Sequence, residues 1–239
     1  MKLKILVIAT LVANFFTLAA TSQEQTPRLE TKDRFVPVIV RNGMVTSREK
    51  IASQVGVDIL KKGGNAVDAA VAVGFAMAVT YPQAGNLGGG GFMVIHLAKE
   101  NKSIAIDYRE MAPAAASRDM FLNADGTVNE MSSRFTHKAT GVPGTVAGMA
   151  HALKNYGTMS LQEVMRPAYD LALAGFPMYN YLEGSLNARK ERMMQNDAAA
   201  KVFYKKDGSS YKYGETFKQK DLAWSLKRIM EGGEKEFYH

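Results

Sequence analysis

The sequence predicts an α/β (α+β) chain, rich in helix and poor in strand. Three observations carry that expectation. Apolar residues recur at helical spacing in several separate segments, two short stretches rich in Val and Ile flank a polar turn, and the composition is that of an ordinary globular protein, 46% hydrophobic and 22% charged. A length of 239 residues is enough to bury a sizeable core. With 21 glycines in no three-residue period and no lasting apolar heptad, collagen-like and coiled-coil classes are excluded.

The elements follow in chain order. Residues 1–22 have Lys2 and Lys4 at the start, an apolar run from Ile5 to Leu18, and the small residues Ala19 to Ser22. This is the three-part pattern of a cleavable secretory signal, too short to match the ~20 residues of a membrane span. Export to a periplasmic or extracellular space is expected, with residues 23–34 as a polar leader and a mature protein free of membrane segments. Ser47 is expected to cap a helix carrying Ile51, Val55 and Ile59 on one stripe and ending at Gly63. A second helix starts at Asn65, with Asp68 in its first turn, and runs to Pro82. It is apolar on nearly every side and rich in Ala, which predicts a central, buried position. Phe92–Leu97 and Ser103–Tyr108, separated by Lys99–Lys102, read as a hairpin. Helices are expected at 145–156, 161–174, 178–194 and 220–231; Ser160 and Glu163 form a capping box for the second, and Gly232-Gly233 closes the last. No repeat and no Pro/Ser-rich linker divides residues 35–239, so they are taken as one domain or part of one.

Several chemistries are excluded. There is no cysteine, hence no disulfide framework, thiolate metal site or cysteine nucleophile. His96, His137, His151 and His239 are far apart and form no HExxH pattern, so no metal site and no cofactor are predicted. The net charge of +7 comes from scattered lysines and arginines, which argues for solvated surface and against a nucleic-acid partner. Thr136-His137 is the one Thr-His pair and carries no surrounding signal.

Two features remain. Gly88–Gly91 precedes a strand, whereas a phosphate loop follows a strand and opens a helix, so a nucleotide site is disfavoured. Either the four glycines pack beneath another element, or they let a substrate or strand approach the backbone. Arg109 sits where the second strand ends, and its planar fork of donors matches a carboxylate. Taken alone, a surface pair with Glu110 is the simpler reading.

Five blocks in order change that balance: GMVTSREKIASQVGVDILKKGGNAVDAAVA (Gly43–Ala72), YPQAGNLGGGGFMVI (Tyr81–Ile95), AIDYREMAPAAASRDMF (Ala105–Phe121), GVPGTVAGM (Gly141–Met149) and YGTMSLQEVMRPA (Tyr156–Ala168). Together they resemble the large subunit of gamma-glutamyltranspeptidases. The resemblance covers about residues 35–239. It implies part of an N-terminal-nucleophile hydrolase with an α/β/β/α sandwich, made as a precursor that cuts itself into large and small subunits. It further implies cleavage of glutathione or another γ-glutamyl donor by the new N-terminal Thr of the small subunit, with transfer to water or to an amino-acid or peptide acceptor. Arg109 falls on the Arg of the family's D-[FY]-R-E motif and is thereby expected to hold the donor α-carboxylate. Arg109 argues against a family member acting on another acyl amide, such as a β-lactam side chain, because a substrate without an α-carboxylate would leave the fork unpaired. No position matches the nucleophilic Thr, so the chain is expected to be an N-terminal portion, inactive alone, with open sheet edges and a tendency to associate. A non-catalytic exported binding or scaffold remnant is the alternative.

Overall fold

The computed structural model describes residues 37–239; the expected signal (1–22) and leader (23–34) lie outside the described residues. Asn42–His239 forms one compact unit, and every element below belongs to it.

Helices α1 (Lys50–Lys61) and α2 (Ala66–Thr80) come first, followed by the strands β1 (Phe92–Leu97) and β2 (Lys102–Asp107). Next are α3 (Glu130–Phe135), a single 3-10 turn at His137–Ala139, α4 (Thr145–Tyr156) and α5 (Leu161–Ala174). The remainder comprises β3 (Phe176–Pro177), α6 (Asn180–Met193), α7 (Asp197–Phe203), β4 (Thr216–Phe217), α8 (Lys220–Gly232) and the short α9 (Lys235–Tyr238). The helix-rich α/β expectation therefore holds.

The central helix is α2. Val71, Ala72, Phe75, Ala76 and Val79 are fully buried, because α1, α4 and α5 pack around it. A helix enclosed on all sides needs apolar residues all round, as its sequence has. Its ends then need polar partners from other elements, since the first N–H and last C=O groups of a helix have none within it. At the C-terminal end, Gln219 Nε2 donates to the Val79 carbonyl (2.7 Å) and the Tyr179 hydroxyl to the Thr80 carbonyl (2.8 Å). At the N-terminal end, Asn65 Oδ1 accepts from the amides of Val67 and Asp68, and Asp68 Oδ2 accepts from the Asn65 amide, which completes a capping box.

Asp68 does more than cap. Its carboxylate, fully buried, also accepts from the Thr158 hydroxyl (2.6 Å), the Thr158 amide (2.8 Å) and the Met159 amide (3.1 Å). It thereby ties α2 to the turn between α4 and α5. Burial works against the charged form, but these hydrogen bonds outweigh it and hold the group below the ordinary carboxylate range.

The expected hairpin forms in register, with Phe92 opposite Asp107 and Leu97 opposite Lys102. Its turn places Asn101 in the left-handed region at φ 47°, which Asn tolerates better than most residues. One face buries Ile95 and half-buries Met93, Leu97, Ile104 and Ile106. The other exposes Phe92 (64%) and Val94 (76%), and among the described residues no third strand joins either edge.

Some local details differ from expectation. Glu49, not Ser47, caps α1: its carboxylate accepts from the Ile51 and Ala52 amides, while the Ser47 hydroxyl is taken by the Glu49 carbonyl and Ser53. The helix expected at 178–194 is shorter at both ends, and Gly232 belongs to α8, with Gly233 (φ 78°) closing it. The capping box of Ser160 and Glu163 on α5 forms as read. No helix among the described residues is long and apolar enough to cross a membrane.

Candidate functional site

The site is built where β2 ends. Asp107 Oδ1 accepts the Arg109 amide (3.0 Å), which turns the chain out of the hairpin. The side chain of Arg109 is 68% exposed, and its Nε lies 3.6 Å from Glu110 Oε2. The surface pair read from sequence is therefore present, but it is long, and among the described residues no other side chain pairs with the guanidinium fork. Arg109 and Glu110 line an open concavity of about 530 Å3 together with Gly88, Phe121 and Lys138. The arginine thus faces a space of ligand size beside the glycine loop. A larger cavity of about 700 Å3, lined by Leu87, Phe203 and Gln219 among others, does not include Arg109.

The backbone that carries Arg109 is gripped from both sides. Tyr108 pairs with Gly91 through reciprocal backbone hydrogen bonds (3.1 and 3.3 Å), and its ring lies against the first turns of α4. A methyl group on Gly148 would overlap the Tyr108 ring, and one on Gly144 would overlap the Tyr108 carbonyl oxygen. From the loop side, a methyl on Gly90 would lie 2.6 Å from that same carbonyl and 2.8 Å from Arg109 Cα. Only glycine permits these approaches, so the loop serves close packing of its backbone on residues 108–110. Burial pushes the Tyr108 phenol up from its ordinary pKa. Beyond Arg109, a bridge between Met111 and Val142 (2.8 and 3.2 Å) holds the next residues to the segment leading into α4.

That segment is braced in turn. The N-cap of α4, Gly144, has no side chain to satisfy the first amides of the helix; the Gly89 carbonyl accepts from both Gly144 (2.8 Å) and Thr145 (3.0 Å). Asn86 Oδ1 accepts from the Gly89 amide (2.9 Å) and the Thr145 hydroxyl (2.7 Å). From the far end of the chain, the Tyr238 hydroxyl donates to the Pro143 carbonyl (2.9 Å) and accepts from the Ala147 amide (3.2 Å).

Sequence reasoning placed Arg109 and the glycine loop but not the residues that hold them. Asn86, Tyr108, Gly144 and Thr145 become meaningful only once residues far apart in sequence meet. The spacing of Gly144 and Gly148, one helical turn apart, is the one local sign of a close approach. Among the described residues no group of three or more His, Asp and Glu could hold a metal ion. Thr136 donates to the Ser132 carbonyl (2.7 Å) and has no bond to His137, so that pair forms no nucleophile and base.

Comparison with known proteins identifies the family. The family model described as gamma-glutamyltranspeptidase matches residues 52–239. The glutathione hydrolase proenzyme of Escherichia coli (strain K12) is 52% identical over 207 residues, which are 87% of this chain and 36% of that protein. Among solved structures, the gamma-glutamyltranspeptidase of Helicobacter pylori superposes with a TM-score of 0.82 at 44% identity, over 85% of this chain and 58% of that one. The enzyme from Pseudomonas nitroreducens, complexed with L-DON, gives 0.76 at 40% identity, over 84% and 58%. The chain spans about a third of the length of the curated relatives it matches.

Proposed function

Since the chain belongs to the gamma-glutamyltranspeptidase family, we propose that it supplies the donor-carboxylate site of a γ-glutamyl acyltransferase and hydrolase. In this reading the guanidinium of Arg109 takes the α-carboxylate of a γ-glutamyl donor such as glutathione. The scissile amide is cut by an N-terminal Thr carried on a small subunit of the same precursor. The Thr oxygen attacks the γ-carbonyl, the C–N bond breaks, and the amine leaves with a proton; the acyl group then passes to water or to an amino-acid or peptide acceptor. The observation that carries the reading is the Arg109 fork, rigidly backed and open to a concavity of about 530 Å3.

A small subunit as partner is supported by the open hairpin, whose outer row of Phe92 and Val94 is exposed beside strand edges that no third strand joins among the described residues. Proenzyme names among the relatives point the same way. The lysine-headed apolar segment at residues 2–18 supports export to a periplasmic or extracellular space.

Two measurements test the reading. The purified 239-residue chain is expected to show no turnover of a chromogenic γ-glutamyl amide; turnover by the chain alone would overturn the assignment of the nucleophile to other polypeptide. In active enzyme assembled with this chain, Arg109→Lys is expected to raise the donor KM about tenfold, because a point charge does not reproduce a bidentate fork. A KM within about twofold of the parent counts against Arg109 as the carboxylate clamp.

A further inference from the structure

We propose that Thr145 is a positioning residue for Arg109, acting through its hydrogen bond to Asn86; the inference rests on the reading of Arg109 as the carboxylate-binding group. Thr145 is not among the residues lining the Arg109 concavity, and at 2% exposure it is closed off from solvent. Its influence on the site runs through the glycine loop. Asn86 Oδ1 accepts at once from the Thr145 hydroxyl (2.7 Å) and the Gly89 amide (2.9 Å), so a single oxygen fixes the loop relative to the start of α4. The Gly89 carbonyl then accepts the first amides of α4. The next two loop residues are the ones that touch the arginine segment: Gly90 packs on Arg109 Cα, and Gly91 pairs with Tyr108. There is no room there for even a methyl group on Gly90, so the loop and the arginine segment pack backbone to backbone. A shift of the loop along α4 therefore has to be followed by Arg109.

The hydroxyl is the part that matters. Thr145→Val keeps the shape and removes the donor, leaving Asn86 Oδ1 with only the Gly89 amide. Thr145→Ser keeps the donor. The test uses active enzyme assembled with this chain, isotope-labelled, with two readouts: the backbone amide resonance of Arg109, and the donor KM for glutathione. Thr145→Val is expected to move the Arg109 resonance and to raise the KM for glutathione about fivefold, the factor that one buried neutral hydrogen bond is worth. Thr145→Ser is expected to restore both. If Thr145→Val does not fold, Thr145→Ala asks the same question. A Val or Ala variant with the parent's Arg109 resonance, or a Ser variant that restores nothing, overturns the proposal. The resonance does not depend on ligand. If Arg109→Ala keeps the parent's KM for glutathione while Thr145→Val still moves the Arg109 resonance, the positioning stands and the carboxylate reading falls.

Discussion

Asp68→Ala is expected to lower the unfolding free energy by more than about 3 kcal/mol. The carboxylate is fully buried and accepts from the amides of Asn65, Thr158 and Met159 and from the Thr158 hydroxyl. Removing it strands those donors around a small void, and each buried donor left without a partner costs roughly 1–3 kcal/mol, with some relief where water enters. Asp68→Asn keeps the volume but replaces one acceptor with a donor, and is expected to lose about half as much. Urea denaturation reads both, with an unchanged slope showing that only stability has moved. A loss below about 1 kcal/mol for Asp68→Ala would remove Asp68 from its role as the tie between α2 and the α4–α5 turn.

The same carboxylate sets an acid dependence. Its folded-state pKa is depressed, so between that value and the ordinary carboxylate value the unfolded chain binds more protons, and stability rises with pH. The contribution is in full force above about pH 4 and is lost as the pH falls through the depressed folded value. The Asn variant is therefore expected to have a flatter stability profile in acid than the parent. Parallel profiles would show that Asp68 does not titrate differently on folding.

Gly148→Ala is expected to lower the unfolding free energy by about 3 kcal/mol, the upper part of the range for overpacking. The added methyl would enter the Tyr108 ring on one side of a tightly held strand end. The ring is confined by α4 and by Gly91, where a methyl would already lie 3.0 Å from it. Gly144→Ala is expected to act similarly through the Tyr108 carbonyl. Gly88→Ala is the control, because a methyl there meets nothing within 4 Å, although Gly88 lies in the same loop. Thermal unfolding of the three variants ranks them. Equal melting temperatures for Gly148→Ala and Gly88→Ala would show that Tyr108 is not confined as described.

How much of this was legible in the sequence depends on the range of the contacts. The apolar α2 beginning at Asn65, the capping box at Ser160, and the hairpin follow from residues within a few positions of each other, and all form as read. Elements set by distant partners were not legible. β3 and β4 are two residues each and exist because Phe176 meets Phe217 across an intervening helical segment. The short helices α3 and α7 have too few turns for a period to show. Ser47 looked the better cap for α1 by residue type, but Glu49 is two positions nearer the helix and reaches two amides. At the site, a strand end pointed to Arg109, whereas the packing of Gly90 and Gly144 on its backbone joins residues more than fifty positions apart.

The brace formed by Tyr238 has a practical corollary. Its hydroxyl secures the Pro143–Ala147 corner, from which the hold on residues 108–110 begins, although it lies 91 positions from Ala147 and 95 from Pro143. Tyr238→Phe would release the Pro143 carbonyl and the Ala147 amide together while leaving the ring in place. A remote phenol is thus a handle on the arginine segment that touches no ligand, and its removal would separate rigidity of that segment from direct recognition.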